Sequence, residues 1–183
     1  ESKAHMAQVF NEYFGGGMAG LVFQELREAR ALAYSAWAHF FAPSRQREEN
    51  ILVGSIGCQA DKTIEAVTAF VDLLDDMPIN QTRWESAHTA ILSTYRTNPV
   101  GSRSRPGYAY DFRALGLRED PRKNRFISLE GAEMSSLSEF YSEEIKPQNI
   151  LISIVGDSQK IDLEKLHQFG PLTEIKVKQL FNR

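Results

Sequence analysis

The chain has 183 residues, 42% apolar and 25% charged, with a formal net charge of -3 at pH 7. That is enough for one domain with its own core, and it excludes a disordered or collagen-like chain. Mild acidity argues against a nucleic-acid partner, which calls for a basic excess on one face, and no apolar run reaches the length of about 18 residues that suggests a membrane-spanning helix.

In chain order, residues 4–14 carry Met6, Val9, Phe10, Tyr13 and Phe14 at helical spacing. Gly15, Gly16 and Gly17 break that helix, because consecutive glycines forfeit helical entropy and admit left-handed backbone. A second helix is expected over 18–29, with Leu21, Val22, Leu26 and the pair Glu25 and Arg27. Two strand-like runs follow, 31–42 and 50–59, joined by the polar segment 43–49, which predicts an antiparallel hairpin with a long tip. Both runs are apolar on both faces, the pattern of strands buried under helices. Cys58, the single cysteine, lies in the second run and reads as a small core residue, not a nucleophile or half of an internal disulfide.

Helices dominate the next stretch. Ile64, Val67, Phe70, Val71 and Leu74 recur at helical spacing behind Asp61, a good N-cap residue. Trp84, His88, Ile91, Leu92 and Tyr95 repeat the pattern, with Thr82 and Glu85 spaced as a capping box and Asn98 before Pro99 as the stop. A weaker helix is expected over 105–115, displaying Tyr108, Phe112 and Leu115, and another over 133–145, with Met134, Leu137, Tyr141 and Ile145 inward. From 103 to 125, Arg103, Arg105, Arg113, Arg118, Arg122, Lys123 and Arg125 are interrupted by Asp111, Glu119 and Asp120, which reads as a solvated face.

Residues 149–155 are a short apolar run ahead of Gly156 and Asp157, the pattern of a central buried strand. A short helix over 162–169 stops at Gly170, and 172–179 alternate Thr173, Ile175 and Val177 with Glu174, Lys176 and Lys178 as a half-exposed strand. The expected fold is one α+β domain over 1–183, its helices packed on one face of a mainly antiparallel, mixed sheet.

Catalytic machinery is not visible. His5, His39, His88 and His167 include no pair at the i, i+4 spacing of H-x-x-E-H or H-E-x-x-H, so no metal ligand is assigned. His88 on an apolar helix face, and His39 alternating with Trp37 and Phe41, read as core or boundary residues. Neither the segment from Gly54 to Gly57 nor that from Gly101 to Arg103 forms a G-x-S-x-G turn. The three glycines at 15–17 follow a helix and lack the lysine–serine end of a phosphate loop.

One stretch is specific. Residues 11–37, NEYFGGGMAGLVFQELREARALAYSAW, resemble the glycine-loop signature of the insulinase/pitrilysin zinc metallopeptidases, in which helix, glycine loop, helix and strand follow one another. The later helices and the NILISIVGD segment fall in the order of that family's domains, and the likeness is to the C-terminal domain of bacterial members. The resemblance implies a two-halved clamshell of paired α+β domains, with zinc and H-x-x-E-H in the N-terminal half. Lacking that motif, this chain resembles the inactive half, with no catalytic residue and no cofactor of its own. Its implied partners are the catalytic half, in the same parent chain or a partner subunit, and a peptide substrate. Since a family domain begins with a strand or two and this chain opens directly in helix-like sequence, it is expected to be a C-terminal piece of a longer peptidase.

The resemblance also implies a substrate-binding role for Arg27 and Tyr34, which keep the family's spacing of seven between an arginine closing the second helix and a tyrosine opening the strand. Residue chemistry alone leaves Arg27 as a helix C-terminal cation or a partner of Glu25 or Glu28, and Tyr34 as a core aromatic. Arg30 is a nearby arginine with the wrong spacing. Related mitochondrial processing subunits use a flexible glycine loop on substrate, but Gly15, Gly16 and Gly17 are few, and a helix-to-helix corner suits them. Relatives in respiratory complexes keep the fold without the chemistry, so a silent scaffold is the alternative; an interaction domain using Trp37, Phe40 and Phe41 is a third. The compartment stays open between periplasm, cell envelope and cytoplasm.

Overall fold

The computed structural model describes residues 3–46, 48–146 and 148–180. Helix α1 (Ala4–Phe10) runs into a π-helical turn, Asn11–Gly15. The helical spacing of its apolar side chains makes it the axis of the core: Val9, Phe10 and Tyr13 are 0% exposed. Phe10 stacks on Phe14 at 5.0 Å between ring centroids and tilts onto Phe140 at 5.6 Å, while Phe40 meets Phe140 edge-on at 5.3 Å. Such pairs add about 0.5–1.5 kcal/mol each beyond the area they bury. After a 3-10 turn, Gly17–Ala19, helix α2 (Leu21–Phe23) also passes into a π turn, Gln24–Ala29.

Strands β1 (Ala33–Phe41) and β2 (Ile51–Cys58) pair antiparallel, Phe41 opposite Ile51 and Ala38 opposite Gly54. Ala36, Ala38 and Phe40 point into the helical layer. The tip is held by the Glu48 carboxylate, which accepts from the Ser44 hydroxyl at 2.9 Å and from the Ser44 and Arg45 amides at 3.0 and 3.1 Å. On the other edge of β1 the Asn11 carboxamide stands in for a neighbouring strand: its Oδ1 accepts from the Phe40 amide at 2.6 Å and its Nδ2 donates to the Phe40 carbonyl at 2.9 Å.

Helices α3 (Thr63–Asp75) and α4 (Gln81–Thr97) follow. Two buried tyrosines pin the link between them. The Tyr13 hydroxyl donates to the Pro78 carbonyl (2.8 Å) and accepts from the Asn80 amide (2.9 Å). The Tyr141 hydroxyl does the same between the Leu74 carbonyl (2.9 Å) and the Met77 amide (3.1 Å). Burial pushes both phenols up. The chain continues through α5 (Arg105–Ala114), α6 (Arg122–Glu130), α7 (Met134–Phe140) with a π turn Tyr141–Ile145, α8 (Leu163–Leu166) and α9 (Val177–Leu180).

The architecture is α+β, as the sequence implies, but several expectations are corrected. Among the described residues the sheet is two-stranded. Residues 149–155 have no regular secondary structure and pair with no strand; Leu151 and Val155 are 95% and 100% exposed, so the expected central buried strand does not form. Residues 172–176 are irregular and α9 follows, because alternation gives a strand only beside another strand. The hairpin is covered on one face only: Trp37 and Phe41 are 43% and 46% exposed and His39 is exposed, while Phe40 is core. Cys58 is half-buried beside a groove, not sealed in the core.

Helix starts also shift. The α4 N-cap is Asn80, whose Oδ1 accepts from the Arg83 amide at 3.0 Å, so Thr82 and Glu85 fall inside the helix and form no capping box. Asp61 lies within a 3-10 turn, Ala60–Lys62, ahead of α3. Helix α6 arises within the region expected as a solvated charged face; Leu129 is 0% exposed and Phe126 lies 5.9 Å from Tyr95. Pro121 at its start and Gly131 at its end are the signals that mark it.

Candidate functional site

The turn from α2 into β1 carries both residues singled out for substrate contact. Its π-helical last turn is closed by nested backbone bonds, the Ala31 amide to the Arg27 carbonyl at 3.1 Å and the Leu32 amide to the Leu26 carbonyl at 3.0 Å. Ala31 takes a left-handed conformation with φ 50°, which reverses the chain so that it enters β1 within two residues. Leu26 and Leu32 are buried on either side and anchor the turn to the core.

Arg27 lies in the last helical turn. Its guanidinium carbon sits 4.7 Å above the Phe23 ring and its Nε lies 3.8 Å from Glu28. Both ends of that ion pair are about half exposed, so it is worth about 0–1 kcal/mol; the ring is the more constant support. The guanidinium therefore keeps donors free for a ligand.

Tyr34 occupies an unusual place. Ala33 pairs with Cys58 and Ser35 with Gly57, so Tyr34 is the extra residue of a β-bulge with no partner opposite. A bulge re-aims a side chain relative to the regular alternation. Tyr34 is accordingly 87% exposed, and its hydroxyl has no hydrogen-bond partner among the described residues. It is not a core aromatic. Beyond it the helix-free face of β1 continues through Trp37, His39 and Phe41, with His39 and Phe41 edge-on at 4.5 Å.

The three glycines form a packed corner. An added Cβ on Gly15 would lie 1.8 Å from the Ala38 carbonyl oxygen, so this residue lets the helix end touch the β1 backbone. A Cβ on Gly16 would lie 2.3 Å from the Glu12 carbonyl oxygen, while Gly17, with φ 60°, faces open space.

The histidines do not meet. His88 stacks on Trp84 at 5.0 Å, with Nε2 2.6 Å from the Leu129 carbonyl, as a boundary residue does. His39 lies 3.4 Å from Asn11 on the exposed side. Among the described residues no three His, Cys, Asp or Glu side chains are placed together to hold a metal ion.

Residues 2–90 match the family model described as the peptidase M16 inactive domain. That stretch of the chain belongs to the family. Solved structures with this fold include a peptidase M16 inactive domain from Pseudomonas fluorescens, with TM-score 0.63 and 13% identity, covering 78% of this chain and 34% of that one. A protease from Helicobacter pylori gives TM-score 0.59 and 15% identity, covering 78% of this chain and 34% of that one. A conserved protein from Enterococcus faecalis gives 0.63 and 16%, covering 78% and 33%. The chain thus spans about a third of the length of the structures it resembles. No curated protein matches it significantly. Within the M16 inactive domain, the matched span holds the glycine corner, Arg27 and Tyr34; sequence reasoning missed the bulge at Tyr34 and the Asn11 clasp, for which no local residue pattern stands as a signal.

Proposed function

We propose that this domain forms a non-catalytic, substrate-facing wall of a zinc-dependent peptidase whose catalytic half lies elsewhere in the parent polypeptide. Membership of the inactive-domain family supports the absence of chemistry from this chain and the existence of a catalytic half. Arg27 and Tyr34 contact the substrate peptide. The phenol donates to a carbonyl oxygen or to the oxyanion developing on it, and the guanidinium fork holds backbone carbonyls or a carboxylate. The observation that carries this reading is the exposed, unpartnered Tyr34 hydroxyl on a bulge, beside an uncovered sheet face. A ring held in water forgoes the burial that ordinarily stabilises an aromatic residue, and contact with a ligand would recover it.

The test is hydrolysis of a quenched fluorescent peptide by the full-length parent and by its Tyr34→Phe variant. A missing oxyanion donor costs about 2.7–4 kcal/mol in known cases, so kcat/KM should fall tenfold or more with folding and zinc content unchanged. Equal turnover by the variant removes Tyr34 from substrate contact. A parent that hydrolyses no peptide gives the lead to the silent scaffold.

A further inference from the structure

A cavity of about 640 Å3 opens along α5 and the chain that follows it, outside residues 2–90 that match the family model. Arg105, Tyr108, Ala109, Phe112 and Arg113 are spaced i, i+3, i+4, i+7, i+8, so they share one face of the helix, and all five line the cavity. That face carries an arginine at each end and aromatic rings between, Tyr108 and Phe112 with centroids 5.9 Å apart. Beyond the helix Gly116 is left-handed, with φ 78°; its amide donates to the Arg113 carbonyl at 2.9 Å, and the Leu117 amide to the Phe112 carbonyl at 2.8 Å. This closure turns the chain back, so that Leu117 and Arg118 line the same cavity.

Four arginines thus stand against two carboxylates, Glu119 and Asp120, in a chain whose net charge is -3. Asp120 is taken up by Arg122: its Oδ1 and Oδ2 accept from the Arg122 Nε at 2.8 and 2.9 Å, and that guanidinium lies 5.4 Å from the Tyr108 ring. The side chains of Arg105, Arg113 and Arg118 meet no hydrogen-bond or ion-pair partner among the described residues. None of the ten residues of α5 is buried, so the helix leaves its rings without the packing that ordinarily stabilises a helical face.

We propose that this cavity holds an acidic segment of the peptide substrate, with carboxylates on Arg105 and Arg113 and an apolar side chain between them on Tyr108 and Phe112. An arginine fork pairs with a carboxylate through two parallel hydrogen bonds, which fixes position as well as charge. Eight positions of helix separate Arg105 from Arg113, about 12 Å at a rise of ~1.5 Å per residue. Four steps of extended chain cover about 13 Å, and residues i, i+2 and i+4 of such a chain face the same side. The pattern recognised is therefore acidic, any, apolar, any, acidic. Size agrees: four extended residues, at a lateral spacing of ~4.8 Å and a layer depth of ~10 Å, occupy about 630 Å3. A nucleic acid calls for a broader basic excess than four arginines beside two carboxylates. That the occupant is a substrate rests on the substrate-wall reading; the charge and shape of the cavity do not.

The test is fluorescence anisotropy, read at first mixing with the full-length parent. One labelled peptide places two glutamates around a leucine at the i, i+2, i+4 spacing, and the other has glutamine at both acidic positions. The acidic peptide should bind at least about tenfold more tightly. Arg105→Gln combined with Arg113→Gln should abolish that preference, and Arg103→Gln, outside the cavity, should preserve it. Both cavity arginines are exposed, so the double variant keeps its fold. Equal affinity for the two peptides overturns the proposal. So does a preference that survives the double variant, or one that falls as much with Arg103→Gln, which is the behaviour of diffuse surface charge. A single-stranded oligonucleotide that binds more tightly than the acidic peptide overturns it as well. In quenched versions of the peptides the preference should appear in KM with kcat unchanged; hydrolysis with equal KM for the two overturns the substrate assignment. A parent that hydrolyses neither peptide fails the substrate-wall reading, and binding alone then decides the cavity.

Discussion

A methyl group on Gly15 would lie 1.8 Å from the Ala38 carbonyl oxygen, a contact with backbone that no rotamer change relieves. Gly15→Ala therefore must push the end of the α1 helix off β1, and overpacking of this kind costs about 1–3 kcal/mol, occasionally more. Gly17→Ala meets nothing within 4 Å, and its penalty is that of a left-handed alanine, about 1 kcal/mol. Urea denaturation of the two variants should show the larger midpoint drop for Gly15. A near-neutral Gly15→Ala would mean that this corner is open and mobile, as in loops that engage substrate. At the same scale Tyr34 differs: its exposure predicts little stability change on losing the hydroxyl, which keeps a loss of turnover attributable to substrate contact.

Between elements, the most economical joint is Asn11. Its carboxamide satisfies both the amide and the carbonyl of Phe40, on the edge of β1 that faces away from β2. Asn11→Ala leaves two part-buried backbone groups without that partner, a cost of about 1–3 kcal/mol. Thermal unfolding should show the loss, and an unchanged midpoint would mean that water replaces the amide freely. No periodicity marks Asn11, since the bond joins residues 29 apart in sequence. That contrast shows where the sequence was legible. Helical spacing identified α1, α3, α4 and α7 because each buries one stripe against the same core, and the polar segment at 43–49 identified the hairpin. The segments 149–155 and 172–179 carry strand patterns too, but a strand is a property of two segments, and pairing cannot be read from one. The Arg27 and Tyr34 spacing was visible as a resemblance; the bulge that exposes Tyr34 was not, because Ala33, Tyr34 and Ser35 include no glycine to announce it.

At the scale of the whole molecule, one core is wrapped around α1, so a charge placed on that helix is felt by the folding equilibrium as a whole. His5 lies on α1, half-buried; burial first, and then the neighbouring Arg125 guanidinium, hold its pKa below the ordinary 6.5. Between the folded value and 6.5 the unfolded chain takes up a proton that the folded chain refuses. The unfolding free energy therefore decreases as the pH falls through 6.5, and this contribution levels off only below the folded value. The carboxylates stabilised by hydrogen bonds act in another window. Asp120, held down by Arg122, and Asp162, held down by Lys165, lose their contribution only as the pH falls below the ordinary 3.8. Urea midpoints measured from pH 7.5 down to 5.5 thus isolate the histidine range from the carboxylates. Stability should decline across that range, and His5→Gln, which cannot take up a proton, should decline less steeply than the parent sequence. Equal slopes for the two proteins would show that His5 is solvated in the folded state and that the packing of α1 against α6 admits water.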